Sequence, residues 1–182
     1  MKTLNTQRLI LKSFEEEYLD DFFEYASSPY VGPAAGWEPH KTIEDSKVIM
    51  KSFLESDENY MIIYKENGKL IGSVGLHPDK VRAYPNSREI GYVLSHDYWG
   101  KGIMTEAVSA VIECAFEHMG LSVLTVAHFP DNRRSKRVIE KLGFVYEGLV
   151  PEAYLCADGT YRDEQRYRMT AEDYKRMRRN TV

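Results

Sequence analysis

The sequence predicts one three-layer α/β domain, in which helices flank a mixed and mostly antiparallel sheet. Two observations lead to this prediction. Predicted elements follow one another as β-α-α-β-β-β-α-β-α-β-β, and a long amphipathic helix comes directly after a buried strand. The 182 residues are enough for one domain with a sizeable core. We therefore predict a single domain over 1–182, with 171–182 as a short charged tail or helix.

The composition is that of an ordinary globular protein, with 43% hydrophobic and 29% charged residues. A formal net charge of −4 argues against nucleic acid as the main partner, although the tail at 171–182 is locally basic. No stretch reads as a secretory signal or a membrane span, so we expect a cytoplasmic protein. We expect it to be a monomer or a homodimer. The two cysteines and five histidines lack metal-ligand spacing, so no metal site is predicted.

Five elements are predicted before the central strand. They are a strand at 6–14, a helix at 15–27, a helix that begins after Thr42 and runs to about Ser56, and two strands at 59–65 and 69–76. Thr42 is a good N-cap, and Asn67-Gly68 is a strong hairpin turn signal. The loop at 28–40 is rich in proline, glycine and alanine, and its notable side chains are Trp37 and His40.

The most informative segment is a strand, a glycine loop and a helix in succession. The strand is predicted at 89–95, the loop at 98–102, and the helix after it up to a C-terminal cap at Gly120. Unpaired N–H groups at a helix start, with glycines before them, suit a phosphate or pyrophosphate group. Gly91 suggests a bulge or close backbone approach that leaves strand N–H and C=O groups free for a ligand. The loop alone fits an ordinary strand-to-helix connection equally well.

The last third of the chain is predicted to form a strand at 123–128, a helix up to Leu142, and a closing hairpin of strands at 144–155 and 161–169. Two polar residues of this helix, Asn132 and Ser135, share a face with its apolar residues by spacing. Taken alone, Asn132 reads as a helix cap and Ser135 as a buried hydroxyl.

Two motifs carry a resemblance to a known family. The segment Tyr-Trp-Gly-Lys-Gly-Ile-Met-Thr-Glu-Ala at 98–107, after Glu-Ile-Gly-Tyr-Val-Leu at 89–94, resembles the acyl-CoA-binding motif of the GNAT N-acetyltransferase superfamily. It is similar in particular to the branch with the ribosomal-protein N-terminal acetyltransferases, whose second signature resembles residues 132–144. Trp99 and Met104 depart from the broader pattern, which affects the path of the loop more than its backbone contacts. The resemblance implies the GNAT fold and acetyl-CoA as co-substrate.

The resemblance also implies which residues form the site. The positions that it assigns to cofactor binding are Val93, Leu94, Trp99, Gly100, Lys101, Gly102, Ile103, Met104, Thr105, Asn132 and Ser135. Many wider relatives have a tyrosine general acid where this chain has Ile139, and the similar branch has a serine near the thioester sulfur, which matches Ser135. We therefore predict Ser135 as the acid or as the donor that orders it.

On the acceptor side, the resemblance places Trp37 and His40 at the border of the amine pocket. Glu89 is the predicted base, acting through water, because a free amine is largely protonated at pH 7. The alternative for Glu89 is an edge carboxylate paired with Arg88 or Lys101. The implied reaction is acetyl transfer to a primary amine, either a peptide N-terminus or a small molecule. The alternative function is a non-catalytic acetyl-CoA-binding sensor.

Overall fold

The computed structural model describes residues 1–179, and its strands belong to one sheet. The strands are β1 (Leu4–Asn5), β2 (Leu9–Ser13), β3 (Asn59–Tyr64), β4 (Leu70–Pro78), β5 (Ser87–Leu94), β6 (Val123–His128), β7 (Val145–Leu155) and β8 (Tyr161–Thr170). The helices are α1 (Leu19–Ala26), α2 (Gly32–Ala35), α3 (Ile43–Ser56), α4 (Ile103–Glu117), α5 (Arg133–Lys141) and α6 (Ala171–Arg179). No helix among these residues is long and apolar enough to cross a membrane.

The sheet runs in the order β1-β2-β3-β4-β5-β6-β8-β7, and every neighbouring pair except β5 and β6 is antiparallel. The long helix α4 connects these two parallel strands, as a parallel connection requires. Their pairing is short, since it joins 87–90 only to 123–126. The strands therefore part at the middle of the sheet, and the predicted mixed, mostly antiparallel sheet is confirmed.

The two faces of the sheet carry separate cores because side chains alternate along each strand. On β3, Tyr60 and Ile62 join the core under α4, while Met61 and Ile63 join the core under α1 and α3. The apolar face predicted for α4 is buried on the first side, together with the inner faces of α5 and α6. This arrangement is the predicted three-layer architecture.

Several boundaries differ from the sequence prediction. The first strand, predicted at 6–14, is the shorter β2, and the two-residue strand β1 precedes it. The loop at 28–40 contains the short helix α2. Gly91 forms no bulge, because β4 and β5 keep an unbroken register across the facing pair Gly75 and Gly91. The open strand edge that the bulge was meant to explain is nevertheless present. It arises from the short pairing of β5 with β6.

The charged C-terminal segment is a packed helix over the part that the structure describes. Tyr174 is buried and stacks on Phe116 of α4 with ring centroids 5.0 Å apart. Arg176 and Arg178 form ion pairs with Asp173 and Glu113. Of the predicted short charged tail or helix at 171–182, residues 171–179 form the helix α6, whose basic side chains are exposed, and 180–182 lie outside the described residues.

Candidate active site

The open edge of β5 lies at the centre of the site. The Ser95 N–H donates to the Ile71 carbonyl on β4 at 2.7 Å. Backbone N–H groups alternate in direction along an extended strand, so the N–H of Val93 also faces β4, and those of Tyr92 and Leu94 face the open edge. Val93 and Leu94 were predicted together as backbone contacts. The geometry directs only the Leu94 N–H toward the gap between β5 and β6.

The glycine loop leads from this edge into α4. Gly100 and Gly102 have φ of +75° and +73°, which is the left-handed region that favours glycine. Gly102 is the N-cap and has no side chain to bond the first turn, whereas Thr42 caps α3 with its hydroxyl. The helix ladder begins where the Glu106 N–H donates to the Gly102 carbonyl at 3.1 Å.

The N–H groups ahead of that bond, on Ile103, Met104 and Thr105, precede the ladder and are available to an anion. The side chains of Ile103 and Met104 are buried in the core, so these two residues offer their backbone rather than their side chains. A Cβ added at Gly100 meets no atom within 4 Å, which leaves open space above the loop. The predicted fit of an anion to this loop agrees with its geometry.

An ion pair between Arg8 and Glu106, which the sequence did not predict, supports the glycine loop. Arg8 donates from Nε to the Glu106 carboxylate at 2.7 Å and from Nη1 to the Lys101 carbonyl at 2.9 Å. Thr6 donates to the same carboxylate at 2.6 Å. Burial on its own raises the pKa of the Glu106 carboxyl, but the bonds from Thr6 and Arg8 outweigh it and lower that pKa below its ordinary value. Only the fold brings positions 8 and 106 together, so spacing along the chain gave no signal.

The side chains of Trp99 and Lys101 make contacts within the protein that the sequence did not indicate. The Trp99 indole donates to the Leu94 carbonyl at 2.9 Å, and the Arg134 guanidinium lies 3.9 Å from the centre of its ring. Trp99 therefore joins the end of β5, the loop and α5. The Lys101 ammonium lies 5.3 Å from the ring centre of Tyr98, near the open side of the loop.

Ser135 and Asn132 stand at the start of α5, opposite β5. The Asn132 side chain caps the helix by accepting from the Ser135 N–H at 3.0 Å, and its amide donates to the Ala34 carbonyl at 3.1 Å. Asn132 thus confirms its reading as a cap, and it also ties α5 to α2. Ser135 Oγ lies 2.8 Å from the Tyr92 hydroxyl, so these two hydroxyls form a pair across the gap beside β5.

Tyr92 is the second group that the sequence analysis missed as part of the site. Burial raises the pKa of its hydroxyl, and the bond with Ser135 offsets the rise only in part. The phenol therefore stays protonated at neutral pH and remains a hydrogen-bond donor. The sequence shows that Tyr92 follows Gly91 in the predicted strand. It does not show that the Tyr92 hydroxyl reaches α5.

A cavity of about 710 Å³ opens on the opposite face of β5, under α1 and α3. We call it the acceptor pocket after the role predicted for Trp37 and His40. It is lined by Phe22, Tyr25, Ala35, Trp37, Glu38, His40, Asp45, Val48, Ile49, Phe53, Asn59, Ser73, His77, Gly91, Tyr92 and Val93. Both predicted acceptor residues of the loop at 28–40, Trp37 and His40, are among them. Their ring centroids are 5.3 Å apart, and His40 Nδ1 lies 2.7 Å from the Ser46 hydroxyl.

Glu89 lies outside this lining. Its carboxylate forms ion pairs with Arg166 at 2.5 Å and with Lys80 at 3.8 Å, and Arg166 also binds the buried Glu164 at 2.7 Å. The alternative partners predicted for it, Arg88 and Lys101, are not the ones it has. Glu89 is two residues from Gly91 and shares its face of β5, so its carboxylate lies beside the pocket and not in its wall.

Neither cysteine lines the acceptor pocket, and both are buried. Cys114 Sγ lies 3.8 Å from the Tyr60 hydroxyl inside the core under α4. Among residues 1–179, no three His, Cys, Asp or Glu side chains are grouped in a way that could hold a metal ion. The lining of the pocket therefore contains hydroxyls, imidazoles and carboxylates, and no thiol nucleophile.

Comparisons with known proteins agree with this geometry. The acetyltransferase (GNAT) domain family matches residues 8–145. The uncharacterized N-acetyltransferase p20 of Bacillus licheniformis is 30% identical over 179 residues, which cover 96% of this chain and 99% of that protein. The [ribosomal protein uS5]-alanine N-acetyltransferase of Escherichia coli K12 is 29% identical over 115 residues, 63% of this chain and 59% of the relative.

Solved structures lead to the same family. The crystal structure of an acetyltransferase (GNAT family) from Bacillus anthracis superimposes with a TM-score of 0.83 at 26% identity, over 94% of this chain and 99% of that one. The resemblance read from the two motifs is thereby confirmed, as is the predicted fold. The chain belongs to the GNAT family of acetyltransferases, among relatives that include ribosomal-protein N-acetyltransferases.

Proposed function

We propose that this acetyltransferase transfers the acetyl group of acetyl-CoA directly to a primary amine, with both substrates bound at once. One observation supports this most strongly. Residues 91–94 of β5 border two separate spaces, because their open edge faces the gap beside the glycine loop while Gly91, Tyr92 and Val93 line the acceptor pocket. An amine in the pocket therefore lies next to a donor held in the gap, and no acyl-enzyme is needed to carry the group between them.

The gap and the loop fit the chemistry of acetyl-CoA. The cofactor supplies an acetyl group activated as a thioester. The first-turn N–H groups of α4 and the positive end of that helix suit its pyrophosphate, and the open space over Gly100 leaves room for it. The unpaired edge of β5 offers N–H groups to the amide-bearing arm of the molecule, with the Leu94 N–H placed to donate to the acetyl oxygen.

Proton transfer falls to two places in this proposal. Ser135 faces the gap and is the candidate donor to the departing sulfur, while Tyr92 fixes its hydroxyl. The Tyr92 hydroxyl lies 2.8 Å from Ser135 Oγ and 3.3 Å from the Ser135 carbonyl. When it donates to Oγ, the Ser135 hydrogen is free to point into the gap. The amine loses its proton to water, and Glu89 is the candidate that receives it by way of that water. If Glu89→Gln leaves the acid limb of the kcat/KM profile where it is, another group takes the proton.

The decisive test measures acetyl-CoA-dependent release of free thiol with a set of amines and N-terminal peptides. We expect at least one class of amine to accelerate thiol release well above the rate with acetyl-CoA alone. Calorimetry on the same sample measures whether acetyl-CoA binds. Binding without acceleration by any amine contradicts the proposal and supports the sensor function instead.

A further inference from the structure

We infer that the acceptor is an amine on a bulky aromatic body, with an uncharged hydrogen-bonding group on that body and no acidic group beside the amine. This inference rests on the proposed function, because it describes the amine that fills the acceptor pocket. Three features of the pocket lead to it: an apolar roof, an unpaired hydroxyl in its wall, and a lining without lysine or arginine.

The roof is formed by helices and is mainly aromatic. Phe22 and Tyr25 come from α1, Phe53 from α3, and Trp37 from the segment after α2. Aliphatic side chains of α3 extend this surface toward the rim, where Val48 is 67% exposed. An occupant with a large apolar body covers this surface and gains from its burial, whereas a wholly polar amine gains nothing there.

The floor is formed by the sheet and is polar, without a lysine, an arginine or a carboxylate. Asn59 and Ser73 line it from β3 and β4, and both are buried. Gly75 faces Asn59 across β3 and β4, and a Cβ added there would come within 2.4 Å of Asn59 Oδ1 and 2.3 Å of His77 Nε2. A side chain at this position is therefore excluded, and the amide and imidazole keep their places over the sheet. Such a floor suits neutral donors and acceptors on the occupant.

The wall contains an unpaired hydroxyl. Tyr25 is 3% exposed, and its OH is the single buried side-chain polar atom among residues 1–179 without a hydrogen-bond partner. Ser73 Oγ approaches it and influences its pKa, but the contact does not reach good hydrogen-bond geometry. A buried polar group without a partner is costly to stability. When a bound acceptor group receives a hydrogen bond from the Ser73 hydroxyl, the lone pairs of Ser73 Oγ turn toward Tyr25. The Tyr25 hydroxyl can then donate to Ser73 Oγ, and both hydroxyls have a partner.

Charge defines what the pocket excludes. Its lining includes the carboxylates of Glu38 and Asp45 but no lysine or arginine. The His40 imidazole is held neutral, since burial lowers its pKa by more than Asp45 raises it. A cationic amine is attracted to this lining, but a carboxylate or phosphate next to the amine meets no counter-charge there. Free amino acids and phosphorylated amines are therefore poor acceptors.

The experiment compares acceptors that differ by one group, using thiol release with the full chain. Phenylalaninamide lacks the acid of phenylalanine, and because the acid also makes the amine more basic, kcat/KM is compared per neutral amine; we expect it to fall by about tenfold or more for phenylalanine. Tyramine and phenethylamine differ only by a hydroxyl, and we expect tyramine to be favoured several-fold. Spermidine serves as the polar polyamine. A peptide beginning with Phe-Ala-Ala distinguishes a peptide acceptor from a small amine, since both share the inferred chemistry.

Equal rates with phenylalanine and its amide, or preference for spermidine, overturn the inference while leaving amine acetylation intact. Acetyl-CoA binding with no turnover of any amine overturns the proposed function, and the inference with it. The two failures are therefore distinct.

Two variants link the result to the hydroxyl pair. Tyr25→Phe and Ser73→Ala are each expected to reduce the ratio of kcat/KM between tyramine and phenethylamine to near one. Tyr25→Phe is also expected to keep or raise the melting temperature, because it removes an unpaired buried group. The matched control is Tyr60→Phe, a buried tyrosine outside the pocket whose hydroxyl does have a partner. A ratio unchanged in Tyr25→Phe, or changed equally in Tyr60→Phe, contradicts the role of the pair.

Discussion

The donor side and the acceptor side of the site are built in opposite ways. The donor side consists of the open edge of β5, the glycine loop and the first turn of α4, all within residues 91–105. It offers mainly backbone N–H groups. The acceptor pocket gathers side chains from α1, α3, β3, β4 and β5, spread over residues 22–93. One side is a continuous piece of main chain, and the other is an assembly of distant side chains.

This difference separates what the fold determines from what it leaves free. Backbone groups that bind a phosphate need glycines at fixed places and a helix behind them, so the donor side tolerates few sequences. Side chains that line the pocket can be substituted without disturbing the sheet, so one fold accommodates many acceptors. The comparison predicts that variants on one side leave the other side's ligand unaffected, and the following changes test that separation in order of expected effect.

The largest effect is expected from Gly100→Val. A β-branched residue at φ of +75° costs about 1–2 kcal/mol, and its side chain enters the open space where we place the pyrophosphate. We expect the acetyl-CoA Kd to rise about 100-fold, because the anion can no longer approach the N–H groups. The control is Gly120→Val at the far end of α4, where φ is +66° and the surroundings are equally open. Similar losses of affinity in both variants mean that strain alone is responsible.

The next effect concerns the hydroxyl pair of Ser135 and Tyr92. We expect Ser135→Ala to lower kcat by about 100-fold, as loss of a proton donor does. Tyr92→Phe is expected to lower kcat about tenfold by freeing the serine hydroxyl. Since Tyr92 acts through Ser135, the double variant should be no slower than Ser135→Ala. If the double variant instead loses kcat by the product of the two single losses, the two hydroxyls act as independent donors.

A smaller effect is expected when the support beneath the loop is removed. Arg8→Gln loses the bonds to Glu106 and to the Lys101 carbonyl, so the loop is less rigid. We predict a roughly tenfold weaker acetyl-CoA Kd with the acceptor KM unchanged. Lys65→Ala is the matched control, since Lys65 binds the Thr6 carbonyl in the same segment without contact to the loop. A rise in acceptor KM in Arg8→Gln speaks against two separate sides.

The smallest effect is a pH dependence at His40. Burial lowers the pKa of the imidazole below its ordinary 6.5, so its neutral form is favoured in the folded chain. The resulting stability is present above pH 6.5 and is lost as pH falls toward the lower folded-state pKa. Below that point a cation appears in the pocket, and we expect acceptor KM to rise about threefold by repulsion.

His40→Asn should remove this rise in acceptor KM at low pH. Both proteins are measured with the same amine, so the ionisation of the amine affects them equally. Identical pH profiles for the two proteins contradict a pocket role for the imidazole.

The sequence was informative where a local pattern dictates structure. Thr42, Asn67-Gly68 and Gly102 each impose a cap, a turn or a left-handed residue within a few positions, and the elements around them are as predicted. Long-range pairings were not readable. Arg8, between β1 and β2, meets Glu106 on α4, and Glu89 on β5 meets Arg166 on β8 across the intervening strand β6, so both pairs form only in the folded chain. Asn132 and Ser135 were found by helical spacing, while the reach of Tyr92 to Ser135 depends on how α5 sits over β5.

The acetyl-CoA Kd of Trp37→Ala is the most direct test of the two-sided account. Trp37 lines the acceptor pocket, so its truncation should raise the acceptor KM about tenfold through lost apolar contact. Calorimetry with acetyl-CoA should give the wild-type Kd for this variant, beside the large loss expected for Gly100→Val. A Trp37→Ala protein that folds normally but binds acetyl-CoA as weakly as Gly100→Val would contradict the division into a donor side and an acceptor side.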